Sequence, residues 1–176
     1  KEEIIQICDR SKPRRRALYM ILKDTGLRIS EVLWLKKEDF DFNITPVRLN
    51  FSPVHDKTNS TNQTRFITSE TREYLELYLR ERKDEEYLFI KNAAHHDQAL
   101  NNEERIFDLL RKKLGFTKRY EHSNRNLITL HSFRAFCATT LAEKYGEEFA
   151  HGYIGHEKYL GQYIRNKKTM SEKFQR

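Results

Sequence analysis

The chain has 176 residues and a mass of 21.3 kDa, with 33 lysines and arginines against 26 aspartates and glutamates, a formal net charge of +7 and a pI near 9.4. A hydrophobic fraction of 38% is enough for one core of ordinary size, and the two cysteines, Cys8 and Cys137, lie far apart without a C-x-x-C partner, which argues against a disulfide scaffold or a zinc knuckle. No apolar run approaches the roughly 20 residues that span a bilayer, so no membrane partner is expected and a reducing, cytoplasmic setting is the simplest reading.

In chain order, helical spacing runs from Glu2 to Asp9 and again from Pro13 to Lys23, with Ser11 as the expected N-cap and Pro13 at an early helical position. Asp24-Thr25-Gly26 breaks the pattern, and a short helix restarts near Arg28 and runs to Leu35. Val47 to Phe51 and Arg65 to Thr68 read as two strands joined by a polar turn from Ser52 to Thr64. Ser69 is then expected to cap a helix that carries Tyr74, Leu75, Tyr78 and Leu79 on one face, and Tyr87 to Ile90 reads as another short extended piece. Lys91 to Asn102 reads as a loop, Glu103 to Leu114 as a helix stopped by Gly115, and Phe116 to Asn126 as a second, basic loop. Strong helical character from Leu130 to Tyr145 ends at Gly146, a short helix follows from Glu147 to Ile154, and the tail from Tyr159 holds two more helical candidates. No repeat and no Pro- or Gly-rich linker divides the chain, so residues 1–176 are read as one domain. Because it starts in mid-pattern, the chain is expected to be part of something longer.

The excess of positive charge favours a polyanionic partner through counterion release from phosphates. Arg14, Arg15 and Arg16, Lys112 and Lys113, Lys118 and Arg119, and Arg165 are the candidate contacts, although a solvated face is the ordinary role of any single cluster.

Four features carry chemistry: the stretch DTGLRISEV at residues 24–32, a lysine at Lys57 in the polar turn, HSFR at residues 131–134, and Gly155-His156 followed by Tyr159 and Tyr163. In that order they resemble the tyrosine recombinase family: TGLRISEV its first arginine box, HSFR its H-x-x-R box and IGH the element ahead of its nucleophile. The resemblance runs from about Ser11 to Phe174, and YLGQYIR is most similar to the archaeal and archaeal-virus branch. It implies an α+β, mainly α-helical catalytic domain with a small antiparallel sheet, the C-terminal part of a longer integrase that carries a DNA-gripping domain ahead of it. It also implies an enzyme that cleaves and rejoins double-stranded DNA through a 3′-phosphotyrosine, with no metal, cofactor or ATP, as a homo-oligomer, a tetramer, on paired sites.

The residue types suit that reaction on their own terms. Attack on a phosphodiester builds negative charge on the non-bridging oxygens, which two always-charged planar guanidinium groups, Arg28 and Arg134, are fitted to meet. A phenol with an ordinary pKa of about 10 needs its proton removed to become a nucleophile, and His131 is the candidate acceptor. By the resemblance, His156 donates a hydrogen bond to a non-bridging oxygen, and Lys57, the one lysine of the inter-strand turn, protonates the departing 5′ oxygen. In much of the family the nucleophile stands nine residues after this histidine, where the chain has Arg165; Tyr163, seven residues on, is favoured over Tyr159 at three, because so short a gap leaves little chain to bring a new helix over the site. A relaxing enzyme of the type IB topoisomerase kind and a non-cleaving DNA-binding module of the same fold are the alternatives.

Overall fold

Pro13 opens the helix around which the others gather. The computed structural model describes residues 1–51, 63–83 and 85–155. Helix α1 (Glu2–Asp9) leads into α2 (Pro13–Thr25), in which every residue from Ala17 to Leu22 is buried because α1, a strand and two later helices surround it. Lys12, not Ser11, is the N-cap of α2; the Ser11 hydroxyl donates back to the Ile7 carbonyl at 2.6 Å and so closes α1. Gly26, at φ 64°, ends α2 in the left-handed conformation that favours a residue without a side chain.

Helix α3 (Ile29–Val32) is shorter than the expected run to Leu35. After Val32 the amides of Trp34 and Leu35 donate three residues back, to Glu31 and Val32, and the turn tightens. Strands β1 (Phe40–Asp41), β2 (Val47–Phe51) and β3 (Gln63–Ile67) form an antiparallel sheet in the order β1-β2-β3, with Leu49 opposite both Phe40 and Arg65. Val47, Leu49 and Phe51 face the core with period two, which is why β2 was legible, whereas the two residues of β1 are too few to show a period. Residues 52–62 with Lys57, and residues 156–176 with His156, Tyr159, Tyr163 and Arg165, lie outside the described residues.

Helix α4 (Ser69–Glu81) takes its cap from Thr68, whose hydroxyl accepts from the Thr71 amide at 3.3 Å. Tyr87 to Ile90 are buried but join no sheet; Leu88 is held by its amide to Leu35 O at 2.8 Å and by its carbonyl to the Tyr78 hydroxyl at 2.8 Å. Helix α5 (His96–Lys113) begins inside the stretch read as a loop. Asp97, Asn101 and Asn102, polar residues of that stretch, face outward, while His96, Ala99, Leu100, Glu103 and Phe107 turn inward. Helices α6 (His131–Tyr145) and α7 (Glu147–Ile154) follow, hinged at Gly146. Tyr19 of α2 stacks on Phe133 of α6 at 5.3 Å between ring centroids, and Phe107 of α5 meets both rings edge-on. This aromatic trio fixes α6 against the helix that leads to Arg28. The result is the mainly helical α+β domain with a small antiparallel sheet that the sequence implied.

Candidate active site

The turn that presents Arg28 is tied down first through Asp24. Its buried carboxylate accepts from the Thr68 amide and hydroxyl, both at 2.8 Å, and from the Thr71 hydroxyl at 2.6 Å, so the end of α2 is locked to the start of α4. The Asp24 carbonyl accepts from the Cys137 thiol of α6 at 3.3 Å. Gly26 packs so closely on the last two helices that a Cβ there would lie 3.0 Å from Ile154 Cγ2 and 3.3 Å from Cys137 Sγ.

Arg28 then stands at the head of α3 with its guanidinium half exposed. Glu31 serves it twice: one carboxylate oxygen accepts from the Arg28 backbone amide at 2.5 Å and the other from Nη1 at 2.9 Å. Such a bidentate carboxylate caps the short helix and orients the guanidinium, leaving other N–H groups of the fork toward solvent. Arg134, one turn into α6, is only 5% exposed. It donates from Nη1 to Gly26 O and from Nη2 to Ile154 O, both at 2.5 Å, and so joins the turn before Arg28 to the end of α7, two residues ahead of His156. Burial first, then the positive charges of Arg28 and Arg65, holds the Arg134 guanidinium below its ordinary pKa. An anion entering beside these cations relieves that repulsion.

His131 is the exposed first residue of α6, one turn from Arg134 on the same side of the helix. The start of that helix is held by a reciprocal pair, Ser132 N to Thr129 O and Thr129 N to Ser132 Oγ, each 2.9 Å. Arg28, His131 and Arg134 line one cavity of about 460 Å³, whose far wall is Leu100 and Phe107 of α5 and Ile128 below the basic loop. Three sequence-predicted residues from two distant boxes therefore converge, while Lys57, His156 and Tyr163 lie outside the described residues.

Arg65 was not anticipated. It is buried on β3 with its guanidinium 5.0 Å from the Tyr153 ring centroid, and its charge reaches Arg134. The signal was present as a cation at an inward position of a strand, opposite Leu49. Tyr153 is fully buried; its hydroxyl accepts from Phe66 N at 3.0 Å, and burial raises its pKa well above the ordinary value, which unsuits it as a nucleophile.

The expected DNA contacts divide into two groups. Arg14 and Arg15 turn inward to Glu103, which is 1% exposed, at 2.5 and 2.9 Å, and Arg14 also donates to Phe89 O at 2.6 Å. Arg16 donates to Cys8 O at 3.1 Å and to Asp9 O and lies over the Tyr74 ring. The run at residues 14–16 thus differs from the expected outer basic surface, because a buried carboxylate and open carbonyls claim its guanidinium groups. Lys112, Lys113, Lys118 and Arg119 are exposed, Lys112 within 2.6 Å of Asp108. Lys118 and Arg119 belong to a small ribbon, with Arg119 bridged to Asn126 and Leu127 N bonded to Lys118 O at 3.0 Å. Among the described residues no cluster of three or more His, Cys, Asp and Glu side chains is placed to share a metal ion, and no helix is long and apolar enough to cross a membrane.

Comparison with known proteins matches residues 1–168 to the phage integrase family. Tyrosine recombinase XerA of Saccharolobus solfataricus is 26% identical over 147 residues, which cover 84% of this chain and 46% of that protein, so the chain spans about half the length of this relative. Among solved structures, XerA recombinase superposes with a TM-score of 0.67 at 23% identity, over 89% of this chain and 55% of that one. The Tn1549 transposon integrase, solved in complex with circular intermediate DNA, gives 0.61 at 20% identity over 98% and 57%. The catalytic core of lambda integrase gives 0.60 at 18% identity over 88% and 90%.

Proposed function

The chain belongs to the phage integrase family, the tyrosine recombinases, and from that premise we propose that it is the catalytic part of a longer site-specific recombinase that cleaves and rejoins duplex DNA through Tyr163. The observation that carries this reading is the convergence of Arg28, Arg134 and His131 on one cavity, with both arginines held by fixed partners before any substrate arrives. Preorganised cations of this kind stabilise the charge that develops on a phosphorane at no cost of reorganisation.

In the reaction the Tyr163 oxygen attacks phosphorus and its proton passes to His131. The bond to the 5′ oxygen breaks, Lys57 protonates that oxygen, and a 3′-phosphotyrosyl link remains. His156 donates to a non-bridging oxygen beside the two arginines. The 5′ hydroxyl of a second strand then attacks the link, the protons return, and Tyr163 is released. One phosphodiester replaces another through a covalent link, so neither ATP nor a metal is required. The surface proposed to grip the phosphates comprises Lys112, Lys113, Lys118, Arg119 and Arg165; residues 14–16, part-exposed and bonded to Glu103 and backbone carbonyls, are assigned a structural role in this reading. Exchange between two duplexes requires several protomers on paired sites, and the likeness to an archaeal XerA supports an archaeal element, chromosomal or viral, as the source.

Trapping on a nicked suicide duplex tests the reading. The wild type and Tyr159→Phe are expected to form a covalent adduct and Tyr163→Phe none; an adduct that persists in Tyr163→Phe assigns the nucleophile elsewhere.

A further inference from the structure

We infer that His96 is a positioning residue for Arg28, acting through the Ser30 carbonyl of α3. This rests on the reading of Arg28 as a ligand of the scissile phosphate.

Helix α3 has four residues, too few to persist without tertiary support. Its last carbonyls face the problem common to helix ends, that no amide further along the helix serves them. In a continued helix the Trp34 amide would serve Ser30, but it turns to Glu31 O at 3.1 Å instead. His96 Nε2, 2.9 Å from Ser30 O, supplies a donor from another element. A carbonyl can only accept, so Nε2 must carry the hydrogen. The ring is held in the plane this bond needs: it stacks on the Trp34 indole with centroids 4.3 Å apart and planes 9° from parallel, and Nδ1 lies 3.3 Å from the Asp97 carboxylate. With 12% of its side chain exposed, His96 is a wedge between α5 and α3, whereas Asp97 is almost wholly in solvent.

Ser30 is two residues from Arg28 and one from Glu31, and Ser30 and Arg28 line the same cavity wall. Asp24 and Arg134 hold the chain on the near side of Arg28; His96 holds it on the far side. Without His96, α3 is free to tilt about Gly26, and Glu31 carries the Arg28 guanidinium with it. An error of about 1 Å in a charge-stabilising group costs on the order of 100-fold in rate.

The experiment measures adduct formation on the nicked duplex by the full chain, for wild type, His96→Ala and His96→Gln, each with Arg28 or Arg28→Lys. Thermal melts are run alongside. His96→Ala is expected to slow adduct formation at saturating DNA by about 10- to 100-fold, with the half-saturating DNA concentration unchanged. His96→Gln, whose amide can still donate to Ser30 O, is expected to recover part of the rate. In the Arg28→Lys background the His96→Ala effect should shrink to less than about twofold, because residues acting as one unit are not additive. Equal slowing in both backgrounds, or a loss confined to DNA affinity, overturns the assignment. A readout independent of activity separates this from failure of the recombinase reading. In nitrogen-15 spectra the Arg28 Nε–H signal, identified by its loss in Arg28→Lys, should shift or broaden in His96→Ala while that of Arg134 stays. If the wild type forms no adduct, the recombinase reading falls and this spectrum decides the positioning role; an unmoved Arg28 signal overturns it.

Discussion

Arg28 and Arg134 are alike in charge and unlike in setting. Arg28 is half exposed and paired to Glu31, whereas Arg134 is buried and bridges the carbonyls of Gly26 and Ile154. Arg134→Lys should therefore do two kinds of damage, since a single ammonium cannot span both carbonyls. Unfolding in urea is expected to show a loss of about 1–3 kcal/mol, and adduct formation should fall further than in Arg28→Lys. The two cysteines offer a second test at this scale. Burial pushes the thiols of Cys8 and Cys137 up from 9.0 to about 12. Both should resist a disulfide reagent at pH 8 in the folded chain and react at once in denaturant. Their folded pKa values lie above the unfolded ones, so this contribution to stability is complete below pH 9 and is lost as pH rises from 9 toward 12. Melting temperature followed across that range should fall, and Cys8→Ser or Cys137→Ser should each flatten the decline. Arg28 and Arg134 were legible as a pair in TGLRISE and HSFR, but not that Arg134 braces Gly26 and Ile154 as well as lining the cavity. Its two carbonyl partners are far from it in sequence, and local pattern carries no information about them.

At the scale of elements, the segment Asp24–Val32 carries more of the site than its length suggests. Gly26→Ala combines a strained positive φ with contacts on Ile154 and Cys137, and should destabilise the fold by about 1–3 kcal/mol. Denaturant titration measures this, and an unchanged midpoint would mean that α7 yields freely. Periodicity identified α2, α4, α6, α7 and the β2–β3 pair because each has several turns or alternations in which a buried face can repeat. It misplaced the start of α5, whose first residues are polar enough to resemble a loop while Ala99 and Leu100 already pack inward. Ser11 and Ser69 were read as caps by residue type, yet Lys12 and Thr68 take those positions. Cap identity depends on which backbone amide points at the side chain, a matter of a single dihedral angle.

For the whole molecule, the positive charge divides into cations that hold the fold and cations left for a partner. Removing Lys118 or Arg119 should lower the slope of log affinity for duplex DNA against log salt by about 0.9 for each phosphate that is no longer neutralised. Arg14→Ala or Arg15→Ala should leave that slope unchanged and lower the melting temperature, because the buried Glu103 carboxyl would lose one of its two arginine partners. Binding isotherms at several salt concentrations separate the two classes; a reduced slope in Arg14→Ala would return residues 14–16 to the DNA surface. The sequence by itself determined the family and the helical α+β class, and it singled out Arg28, His131 and Arg134, which line one cavity, because ordered motifs and amphipathic periods are local and survive in one dimension. Only the tertiary structure decided which cations turn inward, that Arg65 stands behind Arg134, and that His96 reaches Ser30. Such partners are chosen by burial and hydrogen-bond geometry between elements distant in the chain, where a buried acceptor must find whichever donor the fold brings near.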